Sequence, residues 1–161
     1  MSDLTHCCFN SHRDLIMKRK LLIVDDEVEI TEMLCRHFRL TGYSVLGAKN
    51  GLEALSIMSE KYVDVLISDI IMPKMNGVDL LREVRKQYPM VRVIMITGYV
   101  TLENALACMR LGAETCVFKP FNSLTELETA VGNAIAILDH WNNKFRELQG
   151  LKPVIKDSRD E

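Results

Sequence analysis

The sequence predicts an α/β fold: a five-stranded parallel sheet, doubly wound, with helices on both faces and an extended C-terminal helix. Three observations predict it. Short aliphatic runs alternate with amphipathic stretches five times over. Most of the runs are apolar at every position, which suits strands covered on both faces. Polar residues suited to ligand binding recur just past the ends of the runs, where open α/β sheets hold their sites.

The elements follow in order. Leu21–Val24 is an aliphatic strand that ends in Asp25, Asp26 and Glu27. Val28 to Leu40 carries Ile30, Met33, Leu34, Cys35 and Phe38 at helical spacing, and Thr41-Gly42 stops that helix. Tyr43–Ala48 reads as the second strand. Gly51–Lys61 reads as a helix with Leu52, Leu55 and Met58 on its inner face. Val63–Ser68 is the third strand, with Asp69 beyond it. Pro73 and Gly77 punctuate a loop before a helix over Gly77–Tyr88, which turns Val78, Leu81 and Val84 inward. Val91–Ile96 is the fourth strand, before Thr97-Gly98. Thr101–Leu111 is a helix ended by Gly112, and Thr115–Phe118 is the fifth strand, before Lys119-Pro120. The last helix starts near Ser123.

A chain of 161 residues accommodates one well-packed domain. Its net charge of −2 gives no general attraction to nucleic acid or to an anionic membrane. The basic run Lys18-Arg19-Lys20 reads as a solvated lead-in to the first strand. No apolar stretch approaches the roughly 18 residues a spanning helix needs, and the N-terminus lacks a signal-peptide layout, so a cytoplasmic location is expected. The five cysteines lack CxxC spacing and make no disulfide framework. Cys35 and Cys108 read as small buried hydrophobes. His6, Cys7, Cys8 and His12 fit no zinc spacing. Residues 1–18 are expected to be a flexible extension, 19–136 the domain, 137–149 an extension of its last helix, and 150–161 a disordered tail.

Right-handed crossovers bring the C-terminal ends of parallel strands to one edge of the sheet. Asp25, Asp26, Asp69, Thr97 and Lys119 then share a small space. Singly, each has an ordinary reading, as a helix cap, a turn residue or an exposed lysine. Together, at four successive strand ends, they describe a site. Clustered carboxylates repel, and a divalent cation relieves the conflict. Mg²⁺ suits oxygen ligands and often works beside phosphate. A lysine ammonium and a threonine hydroxyl suit phosphoryl oxygens. No GxxxxGK[ST] run is present, which argues against a nucleotide site.

At these residues the sequence resembles the response-regulator receiver family. The likeness rests on Leu22-Ile-Val-Asp-Asp-Glu27, Leu66-Ile-Ser-Asp-Ile-Ile-Met-Pro73 with Asn76-Gly77, Val93-Ile-Met-Ile-Thr-Gly98 and Val117-Phe-Lys-Pro-Phe121. The stretch from Thr97-Gly-Tyr to Leu111-Gly-Ala looks most like receivers of the nitrogen-regulation class. The resemblance implies a flavodoxin-like sheet of order 2-1-3-4-5. It implies that Asp69 accepts a phosphoryl group from a sensor histidine kinase or phosphotransfer protein. Asp26, Asp69 and the backbone carbonyl of Ile71 would ligate Mg²⁺, with Asp25 acting through water. Thr97 and Lys119 would bind the phosphoryl group, and the bond before Pro120 would be cis. The output face would be the fourth helix, the fifth strand and the start of the fifth helix.

Two features depart from the family pattern. Receivers usually carry an aromatic residue three before the active-site lysine, and here Cys116 stands there, which changes the usual aromatic readout. Ile71 and Tyr99, two residues after Asp69 and Thr97, are bulky and are expected to slow autodephosphorylation. Competing readings are a partner-binding scaffold, which has no need of the full polar set, and an aspartyl-phosphate phosphatase. Such phosphatases need an acid–base Asp where Ile71 stands. The chain is thus expected to be a phosphoacceptor module rather than an enzyme. Finally, Leu124, Leu127, Val131, Ala134, Leu138, Trp141, Phe145 and Leu148 alternate by three and four residues, a heptad seam. Its second half is expected to pair with a second copy, to fold back on the domain, or to lead toward an output domain.

Overall fold

The computed structural model describes residues 18–99 and 101–150. The segment holding His6, Cys7, Cys8 and His12, and the tail after Gly150, lie outside the described residues. The elements alternate as β1 (Lys20–Val24), α1 (Val28–Leu40), β2 (Ser44–Ala48), α2 (Gly51–Glu60), β3 (Val65–Asp69), α3 (Gly77–Gln87), β4 (Arg92–Thr97), α4 (Leu102–Arg110), β5 (Thr115–Phe118) and α5 (Thr125–Gly150). The strands form one parallel sheet of order β2-β1-β3-β4-β5.

Alternate strand residues serve two cores. Leu21, Ile23, Val65, Ile67, Ile94 and Ile96 pack with Leu34, Cys35 and Phe38 of α1 and Leu127, Val131 and Leu138 of α5. Leu22, Val24, Leu66, Val93 and Met95 pack with Ala54 and Met58 of α2, Leu80, Leu81 and Val84 of α3 and Cys108 of α4. Because both faces are covered, the strands need apolar residues at every position rather than at alternate ones. Side chains of Asn50, Asn76 and Thr101 cap α2, α3 and α4 by accepting from Glu53, Asp79 and Asn104 backbone N–H groups. Gly42 and Gly112 close α1 and α4 with φ of +101° and +77°, a conformation that glycine adopts without strain.

The structure corrects several expected details. Asp69 and Thr97 are the last residues of β3 and β4 rather than the first residues beyond them. Backbone pairing carries on there irrespective of side-chain polarity: Asp69 pairs with Ile96, and Thr97 with Phe118. Tyr43 and Val63 lie outside their strands, and β1 begins one residue earlier, at Lys20. Leu52 and Met33 are exposed. On α2 the inward positions are Gly51, Ala54 and Met58, so the buried face is rotated from the one that Leu52 suggested. Arg19 is not simply solvated. It donates to Asp64 at 2.9 Å and pairs with Asp139 of α5, at the sheet edge opposite the strand C-termini.

The α5 helix runs unbroken to Gly150. Leu138 is its last buried residue, and Trp141, Phe145 and Leu148 remain exposed. The helix does not fold back over the domain. No helix among the described residues is long and apolar enough to cross a membrane.

Candidate functional site

Backbone hydrogen bonds fix the site residues at the C-terminal edge. Asp25 follows β1, and its N–H donates to the Ala48 carbonyl at 3.2 Å. The Ile70 N–H, directly after Asp69, donates to Ile96 at 3.1 Å. The Lys119 N–H donates to the Thr97 carbonyl at 2.9 Å. The next turn leaves no room for a side chain. A Cβ on Gly77 would lie 2.0 Å from the Asp69 carbonyl oxygen, so glycine lets α3 start directly against the end of β3. The Gly77 N–H donates to the Ile70 carbonyl at 2.8 Å. The Lys119–Pro120 peptide is cis.

The Lys119 ammonium organises the cluster. It lies 2.7 Å from Asp25 Oδ2, 3.0 Å from Glu27 Oε1 and 3.1 Å from Asp69 Oδ2. Asp25, Asp69 and Thr97 are buried, and the Lys119 side chain is 8% exposed. Burial alone would lower the lysine pKa. Its ion pairs with Asp25, Glu27 and Asp69 outweigh that effect and raise it. Burial also drives the Asp25 carboxyl upward, against the pull of Lys119 and of the Glu27 N–H, which donates to its Oδ1 at 2.9 Å. Asp69 Oδ1 accepts from the Ile71 N–H at 3.3 Å.

The edge does not bring all the expected residues together. The carboxylates of Asp25, Glu27 and Asp69 lie close enough to share one cation, their oxygens all within 4.8 Å of one another. Asp26 stands outside that group and is exposed. Glu27 takes a place in the cluster that the sequence did not assign to it. The only sequence signal was the acidic run after β1. The Thr97 hydroxyl is turned to its own loop, donating to the Tyr99 carbonyl at 3.0 Å and accepting from the Tyr99 N–H at 3.1 Å. Cys116 is half-buried against the α2–α4 core beside Cys108. Burial, with Cys108 and Asp69 nearby, pushes its thiol up to about 11, so it is protonated at neutral pH.

A family model described as response regulator receiver domain matches residues 21–132. The chain belongs to that family. This receiver is 45% identical over 103 residues to a transcriptional regulatory protein CpxR homolog of Haemophilus influenzae, covering 64% of this chain and 44% of the relative. It is 38% identical over 118 residues to the regulatory protein AtoC of Escherichia coli, covering 73% of this chain and 25% of the relative. The chain thus spans half or less of the length of these two curated relatives. Among solved structures, a response regulator receiver domain protein from Clostridium thermocellum matches with a TM-score of 0.72 and 36% identity, over 76% of this chain and 98% of that one. The response regulator TrrA of Thermotoga maritima, solved in complex with Mg(2+)-BeF, matches with a TM-score of 0.66 and 33% identity, over 72% of this chain and 98% of that one. The protein is therefore a receiver of the response-regulator type, and the ion bound in the Thermotoga neighbour is Mg²⁺.

The residues present fit that ion. All the side-chain donors are carboxylate oxygens, as a hard divalent cation prefers. Asp25 Oδ2 is buried without a well-directed hydrogen bond, because the 2.7 Å approach of Lys119 is off-axis. A buried, poorly satisfied carboxylate oxygen is costly to the fold and available to a cation.

A pH dependence follows. Because Asp25 holds its proton more tightly folded than unfolded, its ionisation opposes folding. That penalty is absent below the ordinary carboxylate pKa and complete above the raised one. Asp25→Asn should therefore raise the urea midpoint of the metal-free protein at pH 7, and the advantage should vanish as pH falls through the carboxylate range. Equal midpoints at pH 7 would refute it.

Proposed function

We propose that Asp69 is the phosphoacceptor, receiving its phosphoryl group from a sensor histidine kinase or phosphotransfer protein in the cytoplasm. The observation that carries this reading is the Lys119 ammonium, 3.1 Å from Asp69 and 2.7 Å from Asp25 at the end of the sheet. An Asp69 oxygen attacks phosphorus as the bond to the donor's histidine nitrogen breaks. The work asked of the protein is positioning and charge neutralisation. Asp26, Asp69 and the backbone carbonyl of Ile71 would hold Mg²⁺, with Asp25 acting through a bound water. In that role the exposed Asp26 side chain turns toward the cluster. The bound ion supplies charge neutralisation at the transferring oxygens.

Phosphorylation adds roughly −1.5 to −2 charges at Asp69. Lys119 pairs with a phosphoryl oxygen, and the Thr97 hydroxyl leaves Tyr99 to donate to another. Its departure releases the β4–α4 loop and shifts a two-state equilibrium. We assign output to the face of α4, β5 and the start of α5, where Leu102, Met109 and Phe118 are exposed. The half-buried Cys116 gives this switch no aromatic side chain to swing inward. The likeness to nitrogen-regulation receivers rests on the stretch from Thr97-Gly-Tyr to Leu111-Gly-Ala alone, since the relatives' names do not single out that class. Transcriptional regulation belongs to those relatives' names, and no direct contact with nucleic acid is assigned to these receiver residues.

Acetyl phosphate with Mg²⁺ should add one phosphoryl group by intact-mass spectrometry, and Asp69→Ala or removal of Mg²⁺ by a chelator should abolish it. No adduct on the wild type would leave the scaffold reading. Ile71 and Tyr99, two residues after Asp69 and Thr97, are both exposed, and in this reading they restrict the hydrolytic water. Replacing both with small polar residues should shorten the phosphoryl lifetime, and an unchanged lifetime refutes that role.

The α5 extension supports homodimerisation. Trp141 and Phe145 stack, with ring centroids 6.0 Å apart, and continue the seam with Leu148 beyond the core. Trp141→Glu with Phe145→Glu should convert a dimer to a monomer in sedimentation, and a wild type that is monomeric at high concentration excludes the dimer.

A further inference from the structure

Glu27 occupies the N-cap position of α1, yet its side chain makes no cap hydrogen bond. The carboxylate reaches across to Lys119 instead, 3.0 Å away, although 61% of the side chain is exposed. The other two carboxylates on that lysine are further tied down. Asp25 Oδ1 accepts from the Glu27 N–H, and Asp69 Oδ1 accepts from the Ile71 N–H. Both are buried. Glu27 is thus the solvated, least committed of the three.

An ammonium has three N–H groups, and three carboxylates surround this one. When a phosphoryl group arrives, one of them must yield. An exposed ion pair is worth no more than about fivefold in an equilibrium, and a buried one is far harder to break. Glu27 is the partner that yields at least cost. Its charge also stands at the mouth, where it repels an anionic phosphodonor and attracts a cation.

We infer that Glu27 is a positioning residue that holds the Lys119 ammonium in the unphosphorylated receiver, competes with the incoming phosphoryl group for it, and adds to the affinity for Mg²⁺. This inference rests on Asp69 being the acceptor. Glu27 slows labelling by small anionic donors and strengthens metal binding, two opposite effects of one charge.

The test uses the full chain as wild type, Glu27→Gln, Glu27→Asp and Glu60→Gln, the last an exposed carboxylate at the far end of α2. Acetyl phosphate labelling is timed at saturating Mg²⁺ and low salt, and Mg²⁺ affinity is measured separately by calorimetry without donor. Glu27→Gln should label about two- to fivefold faster and bind Mg²⁺ about two- to fivefold more weakly, the range set by an exposed ion pair. The rate gain should fade as salt shortens the screening length to about 3 Å. Glu27→Asp, which keeps the charge, should stay near wild type, as should Glu60→Gln. The inference is overturned if Glu27→Gln matches wild type in rate and affinity, or if Glu60→Gln reproduces its effects. If Asp69→Ala blocks labelling while Glu27→Gln changes nothing, only the role of Glu27 falls. If the wild type takes no phosphoryl group, the assignment of Asp69 falls with it.

Discussion

Two buried aspartates and the lysine ammonium that both approach within 3.1 Å set the terms for this end of the molecule. Asp25 and Asp69 repel, and Lys119 at 2.7 Å and 3.1 Å is what permits both to be buried. The compensation is incomplete, as the raised Asp25 carboxyl and its ill-served Oδ2 attest. Incomplete neutralisation leaves the cluster open to a cation. A fully satisfied ion network would leave nothing for a cation to gain, and a less satisfied one would weaken the fold.

The sheet makes that arrangement possible. Five parallel strands with helices on both faces place every strand's C-terminal end on one edge. The register then pins each site residue through its backbone, so the side chains need not hold themselves in place. The two apolar cores supply the rigidity behind them. At the opposite edge, Asp64 accepts from Arg19 and from the Lys20 N–H, an ion pair that begins the first strand.

Much of this was legible in the sequence. The strand–helix alternation showed because doubly covered strands are apolar throughout, and Asp25, Asp69 and Lys119 converge as the topology demands. What escaped was finer. Asp69 and Thr97 lie inside their strands because backbone pairing ignores side-chain type. Leu52 misplaced the inner face of α2 because the contacts there are made by Gly51 and Ala54, small residues that leave little periodic signal. Glu27 was invisible because whether a flexible side chain reaches across a site depends on three-dimensional distance. Topology placed Asp26 at the same edge, but its exposure outside the cluster could not be read from spacing.

The α5 helix leaves the core at Leu138 and continues twelve residues further, to Gly150. At 1.5 Å per residue that is a rod of about 18 Å, with none of its residues buried. Its base is packed against the same sheet that carries the Asp25–Asp69–Lys119 cluster and is held on one side by the Arg19–Asp139 ion pair. Such a rod is a lever. A tilt of about ten degrees at the base moves its tip by about 3 Å, roughly the difference between a formed and a broken side-chain contact. Motions too small to see within the globule are thereby magnified at Trp141, Phe145 and Leu148, where another surface can register them.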